Sequence, residues 1–146
     1  MKSLLQYVSI AALVVGTAGC GPSTSHLPKT VNASGIVTLD GSPVDKAAVV
    51  FIAEQGNYNA TAMTDASGKF SLNAFIEKTG AVPGAYKIEI NKTLMEAGTD
   101  KKGNTEGIVN VSFGLPRKYA SFTTSELKFT IPESGTEDIK LELKSK

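Results

Sequence analysis

Residue types that ordinarily do chemistry are sparse in this chain of 146 residues, which holds one cysteine, Cys20, and one histidine, His26. A Ser–His or Cys–His nucleophilic pair needs a base held within hydrogen-bond reach, and a zinc site needs clustered His or Cys ligands. His26 falls in a stretch with prolines and small polar residues, away from any rigid carboxylate or serine, and reads as a solvated linker residue. Three spacings look like functional motifs, and each fails on its chemistry. Gly98 to Thr105 has the glycine spacing of a phosphate loop, but Asn104 stands where a lysine should meet the phosphates and no strand–helix unit surrounds it. Ser125-Glu126-Leu127-Lys128 spells S-x-x-K at a strand start, where alternation sends Ser125 and Lys128 to opposite faces. Asp65-Ala66-Ser67-Gly68 matches part of a calcium loop, yet calcium takes roughly six to eight oxygens and the later acidic ligands are missing. Most other acids fall at turns or outward strand positions among lysines. The expectation is no catalytic set, no metal site and no cofactor.

Cys20 has to be read by its setting. A single cysteine cannot form an intramolecular disulfide. Before it, Lys2 precedes an apolar run from Leu4 to Val15, broken only by Gln6, Tyr7 and Ser9. That run is too short to cross a bilayer core, which takes about 20 residues, and reads as a cleaved export signal over residues 1–19. The sequence Gly16-Thr17-Ala18-Gly19-Cys20 resembles the lipobox of bacterial lipoproteins. The resemblance implies acylation of the Cys20 thiol and cleavage just before it, giving a lipid anchor on the extracytoplasmic side of a membrane. Two or more acyl chains make such attachment stable. Thr17 stands where the lipobox prefers leucine, so cutting after Ala18 by an ordinary signal peptidase, with plain secretion, is the alternative. Gly21, in place of the aspartate that marks inner-membrane retention in that family, points to the outer membrane.

The elements past the signal must carry whatever function there is. Residues 20–32 read as a tether and 33–146 as one domain, long enough to hold a core without a disulfide or metal. The net charge is +1, and losing the segment that holds Lys2 leaves 14 residues of each sign. Such a balance leaves no footprint for nucleic acid and no basic helix for anionic lipid. Apolar stretches then alternate with turn signals at short intervals, as in an all-β fold. Strands are predicted over 36–39, 47–53, 59–64, 69–75, 85–91, 127–131 and 139–143, seven in all, with an eighth if 108–113 pairs. The stretch 47–53 is apolar throughout, which predicts a central strand buried on both faces. Asp40-Gly41 and Asp65 to Gly68 predict tight turns. Residues 93–116 break the rhythm and read as a long polar loop, either a connector or a recognition loop.

Three pieces of the chain carry a second resemblance: GIVTLDGSPVDKAAVVFIAEQ from Gly35, TDASGKFSL from Thr64, and VPGAYKIEI from Val82. Together they resemble the carboxypeptidase regulatory-like domain, and LPRKYASFTTSELKFTI resembles the ending of small bacterial lipoproteins that carry this domain alone. The resemblance implies a transthyretin-like, Greek-key-like β-sandwich that acts as an accessory, non-catalytic module. A related transthyretin-like hydrolase relies on histidines and a Y-R-G-S-type ending, whereas this chain ends in LELKSK. The expected role is binding or structural, towards envelope proteins or surface glycans. The alternative is a carrier that holds a small apolar ligand at a sheet edge or dimer interface.

Overall fold

A computed structural model describes residues 27–76, 78–99, 102–103 and 109–146. Among these the protein is all-β, with twelve strand segments and one single-turn 3-10 helix, Arg117–Ala120. The strands are β1 (Ala33–Leu39), β2 (Ser42–Pro43), β3 (Ala48–Ala53), β4 (Ala60–Met63), β5 (Lys69–Ser71), β6 (Asn73–Phe75), β7 (Lys78–Thr79), β8 (Gly84–Asn91), β9 (Thr93–Ala97), β10 (Val109–Phe113), β11 (Lys128–Ile131) and β12 (Thr136–Leu143). They form three sheets. One has the order β12-β1-β2 with β5 also on β1, the largest has the order β11-β8-β3-β4-β6-β7, and β10-β9 stands as a two-stranded ribbon. The pairing of β1 with β12 is parallel.

A single cluster of buried side chains draws on both larger sheets. In β8, Tyr86, Ile88 and Ile90 are buried while Lys87 and Glu89 are not, and in β12 Ile139, Leu141 and Leu143 alternate the same way. Each such side chain contributes about 1.5–3 kcal/mol on burial, so a one-residue slip would turn a whole row to water. The Phe51 ring of β3 meets the Phe70 ring of β5 at 6.2 Å, and the Tyr86 ring edge-on at 5.8 Å. The first of these contacts joins the two sheets.

Three expectations are corrected. Strand β3 is central, between β4 and β8, but only Val49 and Phe51 are buried, while Val50 and Ile52 are half-exposed. The stretch 69–75 divides at Leu72, with β5 on β1 and β6 on β4, so the chain passes from one sheet to the other. The fully buried Leu72 marks that passage, its N–H donating to Ala33 O at 2.8 Å. Residues 93–97, read as loop, are a strand that pairs along its whole length with β10.

The turns form by the chemistry their residues carry. Asp65 Oδ1 accepts the N–H groups of Ser67 and Lys69 at 2.8 and 2.9 Å. Gly68 has φ +74°, and a Cβ there would lie 2.5 Å from Val37 O. Only glycine combines that backbone with that approach.

Candidate interaction site

The ribbon is built from two strands of opposite sequence character. Register places Ala97, Met95 and Thr93 directly opposite Val109, Val111 and Phe113. Directly opposite residues share a face, and successive residues alternate. One face is therefore Met95, Ala97, Val109, Val111 and Phe113 with Thr93, and the other is Leu94, Glu96, Asn110 and Ser112. The apolar face is not covered: Met95 is 72% exposed, Val109 58%, Val111 55% and Phe113 48%. Both outer edges of the ribbon also lack a strand neighbour among the described residues.

The root of the ribbon is firmly held. Gly114 N–H donates to Lys92 O at 2.9 Å, closing the ribbon onto the end of β8. Below it Ile90, Phe113, Leu115 and Pro116 line a hollow of about 290 Å³. The Arg117 guanidinium lies 4.6 Å from the centre of the Phe113 ring, a cation–π contact that fixes a positive charge at the rim. The 3-10 turn that carries Arg117 is pinned by buried Tyr119. Its hydroxyl accepts Lys144 N–H at 2.8 Å and lies 3.3 Å from Lys144 O, to which it donates.

The arrangement suits binding through surface. An apolar face binds by removing its side chains from water, and unpaired strand edges offer backbone donors and acceptors to an extended partner. A second hollow, lined by Asp65, Lys69, Glu137 and Asp138 among others, is open to solvent. All four of these side chains are exposed, Asp65 is engaged in its turn, and Asp138 lies 3.7 Å from Lys140 Nζ. Among the described residues no group of three or more His, Cys, Asp or Glu comes together as a metal site. No helix among them is long and apolar enough to cross a membrane.

Cys20 and His26 lie outside the described residues, as do Asp100, Lys101, Asn104 and Thr105 of the glycine-spaced stretch. Ser125 and Lys128 have separate structural partners. Ser125 is buried and its hydroxyl donates to Ile88 O, while Lys128 Nζ pairs with a Glu54 carboxylate oxygen at 3.2 Å. Of the ribbon, sequence reasoning offered 108–113 as a strand on condition of a partner and missed that partner, 93–97. The signal was the spacing of Val109, Val111 and Phe113, answered by Met95 and Ala97.

No family model and no curated protein matches the chain. Among solved structures, a 9R-lipoxygenase from Cyanothece PCC8801 is similar at 10% identity and a TM-score of 0.31, over 79% of this chain. The chain spans 16% of that enzyme's length, and a likeness at that score carries no argument about fold or activity.

Proposed function

We propose that this chain is a non-catalytic binding module of the cell envelope, acylated on Cys20 and held on the extracytoplasmic face of the outer membrane. On this reading the domain is a Greek-key-like β-sandwich of the carboxypeptidase regulatory-like, transthyretin-like kind. The observation that carries the binding role is the uncovered apolar face of the β9–β10 ribbon. Isolated two-stranded ribbons are marginal in water, so a face of Met95, Val109, Val111 and Phe113 gains by being covered. The favoured partner is an envelope protein with an extended apolar segment, because the ribbon offers it both side chains and strand edges. The cluster shared by the two larger sheets supports the sandwich. The turns at Asp40-Gly41 and Asp65 to Gly68 support the family.

A photo-crosslinking residue placed at Val111 in living cells tests the role, with the exposed Glu142 of β12 as the control position. A discrete adduct from position 111 alone is the expected result. Equal, diffuse labelling from both positions would contradict it. The hollow at the ribbon root favours a second reading, a carrier of a small apolar ligand. Native mass spectrometry showing a co-purified small molecule, lost on filling the hollow with Ala120→Trp, would select that reading.

A further inference from the structure

A different apolar surface lies at the other end of β8. Strand β8 leads through Lys92 into the ribbon, while Val31 is bridged to Ala81 just before β8 begins. The eight residues of β8 separate these ends by about 26 Å. At the Ala81 end the turn after β6 presents Ile76, fully exposed. Beside it Leu27, Ala74 and Phe75 line a shallow hollow with Ile76, and the Tyr58 ring stands edge-on to Phe75 at 5.9 Å. Lys78 Nζ donates to Pro28 O at 2.7 Å, which ties the entering chain to this tip. Val31 N–H and Ala81 N–H each donate to the other's carbonyl at 2.9 Å. The described part of the segment read as a tether is thus fastened to the domain beside the apolar tip.

We infer that this tip, formed by Leu27, Tyr58, Phe75 and Ile76, rests in the bilayer interface and turns the ribbon away from the membrane. The inference rests on acylation of Cys20. Six residues separate Cys20 from Leu27, and the distance between the two spans at most about 25 Å, so the anchor keeps this pole next to the lipid surface. A short tether alone permits any tilt of the domain. An aliphatic tip with an aromatic hydroxyl beside it selects one, because such groups partition to the boundary between acyl chains and headgroups. Glu54 at this pole is paired with Lys128 at 3.2 Å. The opposite pole then presents Met95, Val109, Val111 and Phe113 to the envelope space.

The chain has no tryptophan, so Ile76→Trp and Met95→Trp each place a single, selectively excitable tryptophan at an exposed position. Each full chain, as processed by the expressing bacterium, is purified and reconstituted into phosphatidylethanolamine vesicles with brominated acyl chains. The mature N-terminal mass is read on the same samples. The expected result is an acylated Cys20, a blue-shifted Ile76→Trp emission that loses most of its intensity to the brominated lipid, and an unquenched Met95→Trp. With Cys20 acylated, no quenching at position 76, or equal quenching at both positions, overturns the orientation and leaves the anchor standing. An N-terminus without acyl groups overturns the anchor and the orientation together.

Discussion

Gly35 sits where β1 runs beside β12, and a Cβ there would stand 2.1 Å from Ile139 O and 2.6 Å from Ile139 Cβ. Neither atom belongs to a flexible side-chain end, so the strands would have to part. Gly35→Ala is expected to destabilise by about 1–3 kcal/mol, read as a lower denaturant midpoint with an unchanged slope. Tyr86 sets a pH limit. Burial raises its phenol above the ordinary value of 10.0, and its hydroxyl donates to Val82 O at 2.6 Å. In the unfolded chain the group ionises near 10, whereas the folded protein keeps the proton longer. That stability is complete below pH 10 and is lost as the pH rises through the raised folded value. Urea midpoints are expected to fall more steeply above pH 10 in the natural protein than in Tyr86→Phe. At neutral pH the same substitution costs about 1 kcal/mol for the lost hydrogen bond. At this scale the turn residues were legible, because the Asp65 carboxylate meets N–H groups two and four residues on and Gly68 supplies the positive φ of the same turn. The need for Gly35 as a close approach was not, because it depends on Ile139, far away in sequence.

Whole elements were legible where both sides of the alternation showed. Strands β8 and β12 carry three inward aliphatic or aromatic residues between charged ones, and the structure buries those three in each case. The ribbon was harder to see because its apolar face is not inward, so β9 shows no contrast between core and solvent. Its partner β10 was legible as a strand only on condition that something paired with it. The β5–β6 division was invisible because Phe70, Leu72 and Ala74 keep one alternation while the hydrogen bonds change sheets. A two-stranded ribbon with an uncovered face should open more readily than the core sheets. Hydrogen exchange is expected to be fast in 93–97 and 109–113 and slow at Ile88 and Leu141, with ribbon protection rising when a partner binds. Equal protection in the free protein would show that the face is already covered. Val109→Lys, on the same exposed face, is expected to leave stability within about 0.5 kcal/mol while removing the discrete crosslink from position 111.

For the molecule as a whole, β8 separates two apolar surfaces with different settings. One lies beside the described start of the chain, tied down through Pro28 and Val31, and the other projects past Lys92 on a two-stranded ribbon that has no further strand neighbour among the described residues. A binding module attached at one pole and presenting its ribbon at the other accounts for both. The spacing of Gly16 to Cys20 indicated the attachment, but the sequence could not say which side chains would gather at each pole, since Tyr58, Phe75 and Leu27 meet only through the fold. The most direct test is the intact mass of the mature protein extracted from membranes of its bacterial host. The account predicts that the chain begins at Cys20 with acyl groups attached. A chain that begins at Gly19 with an unmodified cysteine would contradict it.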